Sequence, residues 1–140
     1  MAFDKLFVDS DILLDFLLDR RPFADYSQSL LNRGEERSLR LYTSTLILAN
    51  IHYILSKECN KFFAKTSLKY LMEFIEVVPF AADHINSAII GEHTDFEDSI
   101  QYYIAKQNDC DLIISRNIKH YKKFDISVLT PEEFLRKLLS

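Results

Sequence analysis

Phe7-Val8-Asp9-Ser10-Asp11 decides the fold: a short apolar run ends in two carboxylates and passes at once into the helix-like segment Ile12 to Asp19. Leu6-Phe7-Val8 reads as a buried parallel strand, with polar residues where the strand leaves the core. In open α/β sheets, ligands bind in the crevice outside the carboxyl ends of the strands. Acids at that position are costly unless a cation or a hydrogen-bond donor faces them. A cap on the following helix, supplied by Asp9 or Ser10, also accounts for one isolated acid. Two further segments bear on the choice.

Outward from this strand, strand-like and helix-like segments alternate. Strands are expected over 5–9, 39–43, 76–80, 111–115 and 126–130, and helices over 11–19, 23–36, 45–58, 61–75, 82–91, 96–108 and 131–139. That alternation predicts an α/β fold, a single three-layer domain over 1–140 with a central five-stranded parallel sheet flanked by helices. Thr130-Pro131-Glu132-Glu133 marks the last helix start, with an N-cap threonine, proline at the first position and glutamate at the third. Leu135, Leu138 and Leu139 are expected to form its packing face, joined by Phe134.

Composition narrows the function. A chain of 140 residues, 48% hydrophobic and 27% charged, suits one domain with one core. Gly34 and Gly91 are the only glycines, which excludes a P-loop or a dinucleotide fingerprint, since both need glycines for close phosphate approach. Apolar runs such as Leu46 to Asn50 are too short to span a bilayer. The start Met1-Ala2-Phe3-Asp4-Lys5 lacks the regions of a signal peptide, so a cytoplasmic location is expected. Cys59 and Cys110 read as reduced thiols, and His52, His84, His93 and His120 form no HxxxH or HExxH pair. The net charge of −4 leaves nucleic-acid binding open, because affinity follows local clusters. The tightest is Arg116, Lys119, His120, Lys122 and Lys123.

The second segment is Asp95-Phe96-Glu97-Asp98-Ser99 at a helix start. Phe96, Ile100, Tyr103, Ile104 and Gln107 follow one helical face, with Asp98, Tyr102 and Ala105 pointing away. Asp95 is a good N-cap, and first-turn acids suit the helix dipole. Three acids in four residues exceed what capping requires, and a bound cation would relieve their repulsion. The third segment, Asp111 to Asn117, is another buried strand breaking into polar residues. If it pairs beside the first strand, Ser115 and Asn117 emerge near Asp9. In the helix from Thr45 to Glu58, Asn50 shares a face with Leu46, Tyr53 and Ile54, which places an amide in an apolar stripe. Such an amide needs partners, either nearby backbone or a site.

These segments together resemble the PIN domains, metal-dependent nucleases that include the ribonuclease toxins of bacterial toxin–antitoxin pairs. The likeness runs through FVDSDILLD, YTSTLILANIHYIL, DFEDSIQYYIA, DLIISRNIKHYKKF and VLTPEEFL, nearly the whole chain. It implies acids gathered at the carboxyl end of the sheet, holding Mg2+ or Mn2+ for phosphodiester hydrolysis. By position, the family acids fall on Asp9 and Asp98, with Asp95 beside them as a further metal ligand. Asn50 and Asn117 stand where many members carry acids, which resembles a subgroup with asparagine at both positions, and Asp11 stands where many carry asparagine. The expected catalytic set is therefore Asp9, Asp98, Asn50 and Asn117. Asp9 and Asp98 hold one ion, while the two asparagines orient water or its neighbours. Arg116, Lys119 and Lys122 are expected to hold flanking RNA phosphates. The resemblance also implies a small antitoxin partner and a homodimer.

Two other readings fit part of the sequence. Asp9 and Asp11 have the DxD spacing of haloacid dehalogenase-type phosphatases, a nucleophile followed by an acid–base. No downstream lysine and paired-acid motif accompanies them. A PIN-like RNA- or partner-binding module without catalysis is the other.

Overall fold

The computed structural model describes residues 3–91 and 95–139; His93 lies outside them. Among the described residues, five strands form one parallel sheet: β1 (Lys5–Val8), β2 (Arg40–Ser44), β3 (Ile75–Val78), β4 (Leu112–Ile114) and β5 (Ser127–Leu129), in the order β3-β2-β1-β4-β5. The helices are α1 (Ser10–Leu17), α2 (Ala24–Glu35), α3 (Thr45–Glu58), α4 (Lys61–Leu71), α5 (Ala82–Ile90), α6 (Phe96–Gln107), α7 (Ile118–Tyr121) and α8 (Pro131–Leu138). From β1 the chain steps outward to β2 and β3, then returns to the other side of β1 for β4 and β5. Parallel crossovers are right-handed, so the covering helices change face at that return. The reversal opens a crevice between the carboxyl ends of β1 and β4, the position where doubly wound sheets bind ligands.

Leu6, Phe7 and Val8 are fully buried, as are Leu112, Ile113 and Ile114. Burying each such side chain contributes about 1.5–3 kcal/mol, so these strands hold their register firmly. Val8 pairs with Ile114, and the Asp9 N–H donates to the Ile114 carbonyl at 3.0 Å. From the other side, Thr43 Oγ1 donates to the Val8 carbonyl at 3.0 Å. At the opposite end, Asp111 Oδ2 accepts the N–H groups of Asp4 and Lys5 at 2.8 and 3.0 Å. Gly34 lets α2 lie close on the sheet, because a Cβ there would run into the Leu41 side chain.

The expected elements form, with four corrections. The helix expected over 61–75 ends at Leu71, because Phe74 and Ile75 turn inward and Ile75 opens β3. On α6 the buried face is Ser99, Ile100, Gln101, Ile104 and Ala105, whereas Phe96 is 45% exposed. On α8 the Thr130–Glu133 capping box forms, but Phe134 and Pro131 pack and Leu139 is exposed. The one-turn helix α7 forms where no helix is expected, since four residues give too little periodicity to register.

Candidate active site

Asp9 leaves β1 at the crevice and caps α1, its Oδ1 accepting the Ser10 N–H at 2.8 Å. Its Oδ2 accepts from Ser115 Oγ at 2.9 Å and from the Tyr121 hydroxyl at 3.1 Å. Capping and site are thus the same carboxylate. A carboxylate offers about four acceptor positions, and three donors leave roughly one open, on Oδ1. Burial nevertheless pushes the Asp9 carboxyl above its ordinary range, against the pull of those three donors.

Asp98 lies in the first turn of α6, where Asp95 caps the helix by accepting the Asp98 N–H at 3.1 Å. Burial, then the charges of Asp9 and Asp95, raise the Asp98 carboxyl to about 6. His120, brought in by α7, places Nδ1 at 2.9 Å from Asp98 Oδ2 and 3.4 Å from Asp95 Oδ2. One ligand atom from each of Asp95, Asp98 and His120 lies within 4.8 Å of the others. Asp11 is the third strained acid: burial, then Asp9, raise it to about 7. Its Oδ2 accepts the Arg116 N–H at 2.9 Å, while its buried Oδ1 has no partner among the described residues.

This donor set fits a hard divalent cation. Carboxylate oxygens dominate it, as Mg2+ and Mn2+ require. Acids whose ionisation is suppressed by burial and by one another are stabilised by a nearby positive charge.

Asp9, Ser10 and Asp98 line a cavity of about 340 Å3 together with the polar Asn50, Glu97 and Gln101 and the apolar Leu46, Ile47, Phe80, Phe96 and Ile100. Asn50 is exposed at this wall, not buried in an apolar stripe, because the inward face of α3 is Ile47, Leu48, Ile51 and Leu55. Asn117 is also exposed; its N–H donates to Ser115 Oγ at 3.0 Å, two residues beyond the contact with Asp9. Lys119 and Lys122 are exposed on and after α7.

Arg116 is placed differently from a phosphate ligand. Its guanidinium grips fully buried Asp15 of α1 with two bonds, Nε to Oδ2 at 2.7 Å and Nη2 to Oδ1 at 2.9 Å, and lies 3.9 Å above the Phe23 ring. Asp11 and Asp15, one turn apart on α1, therefore hold the backbone and the side chain of the same residue. The grip fixes the segment that carries Ser115 and Asn117.

The sequence did not single out Tyr121 or the contact of His120 with the acids. Their only signal was nearness to Ser115, and the α7 turn that aims them was unread. For the phosphatase reading, both Asp9 oxygens already accept hydrogen bonds and Asp11 binds backbone, an arrangement unlike an open nucleophile with a free acid–base.

The family model described as PIN domain matches residues 5–119. Ribonuclease VapC1 of Aquifex aeolicus (strain VF5) is 33% identical over 142 residues, covering 98% of this chain and 97% of that protein. A toxin–antitoxin complex from Klebsiella pneumoniae contains a similar fold, with a TM-score of 0.67 at 16% identity, over 90% of this chain and 97% of that one. Mycobacterium tuberculosis VapC20, a sarcin–ricin loop cleaving toxin, has a TM-score of 0.66 at 13% identity, over 82% and 92%. At such identities the solved structures speak for the fold, and the family match and the VapC1 likeness carry the assignment. The chain belongs to the PIN-domain family.

Proposed function

We propose that this protein is a divalent-metal-dependent endoribonuclease, the toxin of a toxin–antitoxin pair, acting as a single PIN domain in the cytoplasm. The observation that carries the reading is the convergence of Asp9 and Asp98 on one cavity at the carboxyl end of the sheet, each held above its ordinary carboxyl range. The likeness to Ribonuclease VapC1 supports RNA as the substrate. The likeness to a toxin–antitoxin complex supports a small antitoxin as partner. A second copy of the chain is the other proposed partner.

Asp9 and Asp98 would hold one Mg2+ or Mn2+, with Asp95 as a further ligand and His120 beside them. When bound, the ion supplies a more acidic water and polarises a scissile phosphate. The chain's own residues do the rest. Ser10, Ser115 and Tyr121 fix the Asp9 carboxylate in one orientation where it lines the cavity. Asn50 presents an amide at the cavity wall, and Asn117 presents one beyond Ser115, each able to orient water. This asparagine pair is proposed to mark a subgroup in which fewer acids hold fewer ions. Lys119 and Lys122 are the proposed phosphate contacts; Arg116, paired with Asp15, instead holds the site together.

The test is cleavage of single-stranded RNA by the purified chain in Mn2+, Mg2+ or EDTA, beside an Asp9→Asn control. Ion-dependent internal cleavage lost in the variant supports the proposal. Because asparagines occupy two acid positions, RNA binding without cleavage is the outcome that favours the non-catalytic module.

A further inference from the structure

The cavity beside Asp9 and Asp98 has a mixed lining, and the ribonuclease reading uses only its polar residues. Phe80, Phe96, Leu46 and Ile100 line the same cavity as the acids. Phe96 is 45% exposed in the first turn of α6, off the face that packs into the core. Neither capping nor packing of that helix requires an aromatic ring there. Phe80 is better anchored: its N–H donates to Thr45 Oγ1 at 3.0 Å, and its ring stacks on His84 with centroids 6.4 Å apart. Gln101 is 6% exposed; its carbonyl oxygen accepts from Ser44 Oγ at 3.0 Å, which leaves the amide NH2 as a donor on the cavity wall.

We propose that this apolar wall receives one unstacked base of single-stranded RNA, lying against Phe80 and Phe96 next to the scissile phosphate. The proposal deepens the ribonuclease reading and rests on it for the choice of substrate. A phosphate is repelled by the wall of Asp9, Glu97 and Asp98 unless a cation stands between them. A neutral, flat base carries no such penalty and gains stacking on an aromatic surface. The Gln101 amide supplies a donor for a ring nitrogen or carbonyl of that base. Bases paired in a duplex are not available to such a wall, so the site selects single strands, loops or splayed ends.

The experiment is an abasic scan. A short single-stranded RNA, and versions lacking the base at one position each, are titrated against the full chain with Ca2+ in place of Mg2+ or Mn2+, so that the acids are screened, and followed by fluorescence anisotropy. One position is expected to weaken binding by about 5- to 150-fold when its base is removed, the range of base–aromatic stacking. Phe80→Leu and Phe96→Leu should lose a similar factor on intact RNA and nothing more on RNA abasic at that position. Phe96→Tyr, which keeps the ring, should retain affinity, and thermal melts confirm that the variants fold. A flat scan, or losses that simply multiply, overturns the proposal. So does a pair of leucine variants that bind RNA normally but lose affinity for a protein partner, since the wall then serves that partner. A chain that cleaves no RNA yet shows one position silenced by the variants keeps the base receptor and loses the nuclease reading. Cleavage with a flat scan does the reverse.

Discussion

Arg116→Met should be the most destabilising of the substitutions around the site, although Arg116 looks in sequence like one member of a basic cluster. Asp15 is fully buried, and its carboxylate meets the Arg116 guanidinium at 2.7 and 2.9 Å. Removing one partner of a buried pair typically costs 3–5 kcal/mol, because the remaining charge stays buried. Arg20 Nη1, 3.8 Å from Asp15 Oδ1, compensates in part, which places the expected loss near ~3 kcal/mol. For a chain of this length that corresponds to a fall in Tm of roughly 10 °C. Asp15→Asn should cost less, about 1–2 kcal/mol, because the Arg116 side chain is 30% exposed and its freed guanidinium reaches water. Pairing Arg116→Met with Asp15→Leu should recover part of the loss, since no charge is then stranded. Urea unfolding of the single and double variants measures all three quantities. The reasoning is refuted if Arg116→Met costs less than about 1 kcal/mol, or if Asp15→Asn costs more than Arg116→Met.

Asp98→Asn should stabilise the metal-free protein at pH 8. A carboxyl raised to about 6 by folding stays protonated while the unfolded chain ionises, so its share of stability is present at low pH and lost as pH rises from about 4 to 6. Removing that ionisation should return about 2–3 kcal/mol at pH 8 and almost nothing at pH 4, read from melts at both values. Asn50→Glu should tighten Mn2+ binding, with an apo-state loss under ~1 kcal/mol because position 50 is exposed. Equal melting losses with and without Mn2+ would place Asn50 beyond reach of the ion. Neutralising Lys119 and Lys122 should flatten the salt dependence of RNA affinity by about 0.7 per lysine in log–log slope, whereas Arg116→Met should leave the slope unchanged. A slope unaltered in the lysine variants would make them ordinary solvated surface.

Much of this architecture is legible in the sequence because its strands are short, wholly apolar and end abruptly in polar residues. Leu6-Phe7-Val8 and Leu112-Ile113-Ile114 announce both the central strands and the place where Asp9 and Ser115 emerge. The alternation of helices and strands then allows few parallel topologies. What failed was direction on mixed helices. Asn50 sits between buried Ile47 and Ile51, and a rotation of about 100° per residue decides whether it faces the core or the cavity. Leu46 and Tyr53 suggest the core, but Leu46 packs there only partly and Tyr53 is exposed, because the centre of the buried face is Ile47, Ile51 and Leu55. Arg116 failed for a different reason: its partner Asp15 is 101 residues away, and charge clusters in sequence reveal nothing of such pairings. His120 and Tyr121 reach the acids only through the short turn of α7, too brief to leave a periodic signal.

The central claim is that Asp9 and Asp98 form one divalent-ion site, and calorimetric titration of Mn2+ tests it most directly. The account predicts binding of a single ion near neutral pH, with affinity falling toward pH 5 as protons compete for Asp98, whose carboxyl is raised to about 6 by burial and the neighbouring acids. Binding near pH 6 should release protons, so the measured heat should change with the ionisation enthalpy of the buffer. Asp9→Asn and Asp98→Asn should each abolish that heat while the folded chain survives. Undiminished Mn2+ affinity in both variants, or no binding by the parent chain at any pH from 5 to 8, would contradict the account.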